Sequence, residues 1–297
     1  MEIIETNLLT KYYTKQSTPA VKDLNLSIKT GEIYGFLGAN GAGKTTTIRM
    51  LMDFIRPTSG NITVFGLNLK TNSANIRDQI GYLPGEAKLY SDATGSQILD
   101  FLSSLRPVNK NYRKQLERNF QAELNRPIEE LSKGNRQKIA IIQALMSQPK
   151  VLILDEPTSG LDPLMQDIFY DAITDLANYG TAILMSSHNL NEAQKICHRI
   201  GIIKNGSLIH QQSISQDNKI TSEIYKIKLS IPKDIDKIKK FKHVSFVSKL
   251  NDNELLIKPT VSLNDFLEEV SSLPLSEFSS QRIDLEDEFL TFYEDNK

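Results

Sequence analysis

The sequence predicts an α/β core built on a largely parallel sheet, followed by a small α+β appendage. Three observations lead there. Short apolar runs at 33–38 and 151–154 end in turns that carry glycine or acid. Segments of helical period separate successive runs, the alternation expected of strands joined by crossover helices. The composition changes near residue 211, after which strand-like and helix-like stretches begin again.

Residues 2–9 and 24–29 alternate apolar and polar positions, as half-buried antiparallel strands do. Residues 33–38 form a short apolar strand that runs into a glycine-rich turn. Residues 45–55 are polar first and apolar later, and Arg56-Pro57 stops them, so they read as a helix. Strands follow at 61–65 and 80–83, with a short helix between them. Residues 92–146 hold no good strand; Leu99, Phe101, Leu102 and Leu105 fall on neighbouring helical turns. A buried strand at 151–154 lies between Pro149 and Pro157. Helix, strand and helix follow at 162–177, 182–186 and 190–196. Strands 200–203 and 207–209 flank Asn205-Gly206, a strong hairpin turn. The polar stretch 211–218 reads as a linker. Beyond it the order is strand 225–231, helix 235–241, strands 244–250 and 254–258, and helix 263–270. The domain division predicted is therefore 1–212 and 220–297.

The 297 residues are 39% hydrophobic and 24% charged, ordinary for a globular protein, and long enough for about two domains. Thirty-five basic against thirty-six acidic residues leave a net charge of −1, which gives no general attraction to nucleic acid or anionic lipid. Cys197 is the single cysteine, so a disulfide framework and a cysteine-rich zinc site are excluded. His198, His210 and His243 show no ligand spacing. Apolar runs such as 139–142 and 151–154 fall far short of the roughly 20 residues that span a bilayer. Glu2 and Glu5 stand where a signal peptide would be basic. A cytoplasmic chain is expected, reaching a membrane only through a partner.

Gly38-Ala39-Asn40-Gly41-Ala42-Gly43-Lys44-Thr45 fits the phosphate-binding pattern Gly-x-x-x-x-Gly-Lys-Ser/Thr. Glycines let the backbone wrap a phosphate and aim its N–H groups inward, and the helix that follows adds its positive N-terminus. Lys44 is placed to reach the β- and γ-phosphates, and the Thr45 hydroxyl suits Mg²⁺. The strand 151–154 ends in Asp155-Glu156. Asp155 suits the surroundings of Mg²⁺, and Glu156 a water-activating base. Alone such acids are weak evidence; with the lysine loop they point to phosphate chemistry.

With these motifs in place the sequence resembles the ATP-binding cassette (ABC) ATPases, over about residues 2–212. Leu131-Ser132-Lys133-Gly134-Asn135 is similar to the signature, usually Leu-Ser-Gly-Gly-Gln. Ser159-Gly160-Leu161-Asp162 resembles the D-loop, His188 follows Met185-Ser186-Ser187 where the switch histidine is found, and Tyr13 matches the adenine-stacking aromatic, with Tyr12 as its alternative. The resemblance implies a P-loop NTPase with an antiparallel β subdomain and a short helical subdomain. It implies that Gly38, Asn40, Gly41, Gly43, Lys44, Thr45 and Thr46 of one subunit and Ser132 and Gly134 of a second copy enclose ATP. Thr45 and, through water, Asp155 then place Mg²⁺, Glu156 activates water, and His188 fixes the γ-phosphate. Ser132 also reads simply as a helix cap.

Two departures stand out. In Gly81-Tyr82-Leu83-Pro84-Gly85-Glu86, Gly85 occupies the place of the family's glutamine, leaving water or Glu86 to approach the metal. A glycine after Pro84 is also expected to use a backbone angle closed to other residues. In the signature, Lys133 and Asn135 replace Gly and Gln. The wording around Leu83-Pro84-Gly85-Glu86, the signature and the ending 284–290 resembles ATPases of bacterial drug, bacteriocin and lantibiotic exporters. That implies an integral-membrane permease as partner, a peripheral position on the inner face, and no nucleic acid. A soluble ABC ATPase of DNA repair or translation and a low-turnover regulatory module are the rival readings. Lys237, Lys239 and Lys240 are read as a solvated helix face.

Overall fold

A computed structural model describes residues 1–13, 18–214, 223–230, 244–251, 253–259, 263–271 and 274–282. The chain divides into two units, Met1–Ile214 and Ser215–Lys297. The expectations placed on helix 235–241, on Lys237, Lys239, Lys240 and His243, and on the ending 284–290 lie outside the described residues.

In the first unit β1 (Glu2–Lys11), β2 (Val21–Lys29), β4 (Ser59–Val64) and β5 (Leu67–Asn68) form an antiparallel sheet in the order β2-β1-β4-β5. Val21, Leu24, Leu26 and Ile28 turn one face of β2 into the core. Both β1 and β2 run further than the alternation suggests. The register shifts between Thr6 and Leu9, with Leu8 in the left-handed region at φ 46°, and such a bulge changes the phase of the pattern without ending the strand.

The second sheet has the order β10-β9-β3-β8-β7-β6. Its strands are β3 (Ile33–Leu37), β6 (Ile80–Leu83), β7 (Val151–Asp155), β8 (Ala182–Ser187), β9 (Arg199–Lys204) and β10 (Ser207–Ser213). Only β10 is antiparallel to its neighbour. Every residue of β3, β7 and β8 is buried, as strands covered on both faces require. Their carboxyl ends meet at one edge, the place where open α/β sheets take ligands. The stretch expected to be linker from 211 onward begins as strand instead. Gln211, Gln212 and Ser213 pair with Gly201, Ile200 and Arg199, and an edge strand needs backbone pairing rather than apolar alternation.

Helix α1 (Lys44–Leu51) follows β3 and is shorter than expected, because Asp53 at φ 56° turns the chain out of the helix. Helix α2 (Leu69–Arg77) precedes β6. The helical segment contains α3 (Gly95–Leu105), α4 (Lys110–Phe120) and α5 (Lys133–Leu145). Thr94 and Gln97 form a reciprocal cap on α3. Ile98, Ile128, Leu131 and Ile139 bury together and tie α3 to α5. Helix α6 (Pro163–Asn178) is capped by Asp162, and α7 (Leu190–Ile196) by Asn189.

The second unit is a sheet of β11 (Glu223–Leu229), β12 (Val244–Lys249), β13 (Glu254–Pro259) and β14 (Leu275–Arg282), in the order β12-β13-β11-β14, with α8 (Leu263–Ser271). Tyr225, Ile227, Leu229, Leu255, Ile257, Phe266 and Val270 form its core. Strand β14 was not expected: Leu275 and Phe278 are its only apolar residues, too few to set a period. The Phe278 ring stacks on Tyr225 at 5.0 Å.

Candidate nucleotide site

The phosphate loop joins β3 to α1. Gly43 caps α1 at φ 116°, and a Cβ there would sit 2.6 Å from the Ala20 carbonyl, so conformation and space both require glycine. Gly38 is held by space alone, its added Cβ meeting the Ile203 carbonyl at 2.6 Å. Asn40, Gly41 and Thr45 are exposed along the loop, and Thr46 is half-buried.

Lys44 is expected to point at ligand rather than into the protein, yet its side chain is only 6% exposed. Its Nζ donates to the Gly38 carbonyl at 2.6 Å and lies 3.2 Å from Glu156 Oε1. On the other side of Glu156, His188 Nδ1 donates to Oε2 at 2.7 Å. The carboxylate thus sits between two nitrogen groups. Next to it the Thr45 hydroxyl donates to Asp155 Oδ2 at 3.0 Å. Lys44, Thr45, Asp155, Glu156 and His188 are thereby joined into one constellation at the carboxyl edge of β3, β7 and β8.

The sequence did not single out Ser186. Asp155 pairs with it across β7 and β8, and the fully buried Ser186 hydroxyl donates to Asp155 Oδ1 at 2.6 Å. The Ser186 hydroxyl oxygen also accepts the Glu156 amide at 3.0 Å. Glu156 itself is in the left-handed region at φ 48°, a conformation non-glycine residues reach at a cost of order 1–3 kcal/mol and keep where their surroundings enforce it. Tyr13 is more than a third exposed; its hydroxyl lies 3.5 Å from Thr46 Oγ1 and Lys11 Nζ stands 5.7 Å from its ring centre.

Ser132 and Gly134 belong to a different cluster. Ser132 caps α5 by accepting the Asn135 amide at 3.2 Å. A Cβ on Gly134 would meet the Gly160 carbonyl at 3.1 Å, so α5 begins against the 159–162 turn. Gln137, buried, fixes that approach by donating to the Pro157 carbonyl at 2.7 Å. No hydrogen bond or ion pair joins residues 132–135 to 38–46 among the described residues.

Gly85 corrects one expectation. Its φ is not in the left-handed region, so the backbone there is open to other residues. The nearest atoms that a Cβ on it would meet belong to Asp155, its carbonyl at 3.4 Å and its carboxyl group at 3.7 Å, both ordinary contacts. Glu86 is exposed and makes no hydrogen bond or ion pair among the described residues. Buried Cys197 packs behind Gly35, and burial pushes its thiol well above the usual range, which suits a structural role. His198 accepts the Ile33 amide at 3.0 Å.

A glycine loop wrapped before a helix N-terminus, at the edge of a parallel sheet that presents lysine, hydroxyl and paired acids, defines a phosphate-loop nucleoside triphosphatase. A family model described as ABC transporter matches residues 21–159. The bacitracin transport ATP-binding protein BcrA of Enterococcus faecalis is 37% identical over 221 residues, 73% of this chain and 71% of that protein. The ABC transporter ATP-binding protein NatA of Bacillus subtilis (strain 168) is 37% identical over 207 residues, 67% of this chain and 84% of that protein. Among solved structures, an ATP-binding subunit of an ABC transporter superimposes with a TM-score of 0.65 at 28% identity, covering 73% of this chain and 91% of the other. This chain belongs to the ABC transporter ATP-binding proteins.

Proposed function

We propose that the chain powers a membrane exporter by hydrolysing ATP at the constellation around Glu156. The observation that carries this is the carboxylate set between Lys44 at 3.2 Å and His188 at 2.7 Å, beside the Thr45–Asp155 pair. Lys44 and the amides of 38–43 bind the β- and γ-phosphates, and Tyr13 stacks on adenine. Glu156 takes the proton of the attacking water, and His188 holds the γ-phosphate. The oxygen set of Thr45 and Asp155 fits Mg²⁺, which favours one carboxylate plus substrate phosphates over an all-protein cage. The chemistry that ion supplies when bound is neutralisation of charge on the phosphates.

Residues 132–135, separate from the phosphate loop, are suited to close over the ATP of a second copy, so two chains are needed for two complete sites. The segment 85–105 is the part that a permease would grip: it exposes the large side chains of Tyr90 (74%), Phe101 and Leu105. Among the described residues no helix is long and apolar enough to cross a membrane. Membrane work therefore calls for such a partner, with this chain peripheral on the cytoplasmic face. Export is favoured by relatives named for bacitracin transport. The second unit supports dimerisation or regulates closure. Affinity purification from solubilised membranes tests the reading. A multi-span membrane protein that co-purifies and stimulates ATP hydrolysis is expected; a soluble complex alone would overturn export while leaving the ATPase assignment standing.

A further inference from the structure

Glu192 is a buried carboxylate that the proposed chemistry does not use. It lies on the first turn of α7 and is only 9% exposed. A buried carboxylate loses several kcal/mol of hydration, so its survival requires donors. Two are present, one from each side. Tyr170 of α6 donates its hydroxyl to Oε1 at 3.0 Å, and Ser187 at the end of β8 donates to Oε2 at 2.7 Å. Burial, and then Glu192 itself, push the Tyr170 hydroxyl well above the usual range, so it stays a donor.

What these bonds secure is the turn that carries His188. The Ser187 hydroxyl that donates to Glu192 also accepts the Asn189 amide at 2.9 Å, and Asn189 in turn caps α7 at the Glu192 amide, 3.3 Å away. The Ser187 carbonyl accepts the amide of Gly38, the first residue of the phosphate loop, at 3.3 Å. Residues on both sides of His188 are therefore tied to Glu192, Ser187 directly by the carboxylate and Asn189 through the Ser187 hydroxyl and the Glu192 amide, while the imidazole is 66% exposed and meets Glu156 at 2.7 Å. On the far side, Tyr170 sits on α6, which starts at Pro163 directly after the 159–162 turn on which the start of α5 rests.

We infer that Glu192 is a positioning residue for His188, linking α6 to the histidine turn. It does not touch substrate; it acts by fixing where the imidazole stands, and a misplacement of about 1 Å at a reacting centre can cost up to 100-fold in rate. The inference rests on the role proposed for His188, and a double-mutant cycle separates the two.

ATP hydrolysis by the full chain is measured for His188→Ala, Glu192→Ala and the double variant, with Tyr170→Phe as the mildest change. Glu192→Ala is expected to lower kcat about tenfold and to change KM for ATP less than about twofold, with no further loss in the His188→Ala background. Tyr170→Phe, which deletes one donor and leaves no gap, should move kcat in the same direction by less. Should Glu192→Ala fail to fold, Glu192→Gln completes the cycle: it keeps the volume but offers one acceptor oxygen to two hydroxyl donors. Losses that multiply in the double variant, or a fall that resides in KM, would overturn the inference and leave Glu192 a packing residue. His188→Ala at the wild-type rate would overturn the role of His188 itself.

Discussion

Asp155 and Ser186 stand opposite each other on β7 and β8, and one hydroxyl serves both acids, donating to Asp155 Oδ1 at 2.6 Å and accepting the Glu156 amide at 3.0 Å. That oxygen fixes the direction of one carboxylate and the strained backbone of the next. Ser186→Ala removes it without altering the strand. The expected outcome is a loss of about 1–3 kcal/mol in unfolding free energy, from the buried polar groups left unpaired, with kcat falling more than ATP affinity. Denaturant unfolding and steady-state kinetics check the two parts.

Glu156→Gln is expected to lower turnover by at least about 100-fold while ATP binding persists, because an amide does not accept the proton of water. The variant should accumulate an ATP-dependent dimer, visible by size-exclusion chromatography. Turnover near the wild-type rate would remove Glu156 from the base role.

Lys44→Ala removes the charge nearest the expected phosphates, and nucleotide affinity should fall by about tenfold or more, charge-assisted bonds being the strong ones. The amine also bonds the Gly38 carbonyl, so a small fall in melting temperature is expected as well. Calorimetric titration with ATP and a thermal melt separate the two effects. A collapse of the fold would make Lys44 chiefly structural.

Gly85→Gln should be tolerated, within about 0.5 kcal/mol of the parent, since the backbone there is ordinary and the space faces Asp155. The new amide is expected to lower the Mg²⁺ concentration needed for half-maximal hydrolysis. Glu86→Ala is the companion: an unchanged Mg²⁺ requirement would show that this exposed acid does not stand in for the missing glutamine.

A chain ending at Ile214 should fold and bind ATP, because β10 is kept whole and the first unit has its own core. Ending at Gln212 instead cuts the pairing of Ser213 with Arg199 and should fray that edge. Loss of nucleotide binding by the folded shorter chain would mean that the second unit contributes to the site.

How much of this was legible in the sequence depends on range. The phosphate loop is a local pattern whose glycines answer to local geometry, and the acids of Asp155-Glu156 end a visibly apolar strand. Ser186, Ser187 and Glu192 were not legible, because their partners lie on neighbouring strands or helices, and only the register of β7 against β8 brings Asp155 to Ser186. The ordinary backbone at Gly85 was hidden for the opposite reason: a glycine is compatible with almost any angle, so its identity says little about the one adopted. Strand β14 escaped because pairing with β11, not its own composition, makes it a strand.

The contact between Lys44 and Glu156 changes what nucleotide affinity measures. One ammonium faces both the carboxylate and the place where phosphate is expected, so phosphate arrival is an exchange of partners rather than an addition. The observed affinity is then a difference between two charge-assisted contacts, and neutralising the acid lightens one side of it. A protein impaired in hydrolysis at Glu156 should for this reason hold ATP more tightly than the parent, and tight capture would follow from competition within the site as much as from the lost chemical step.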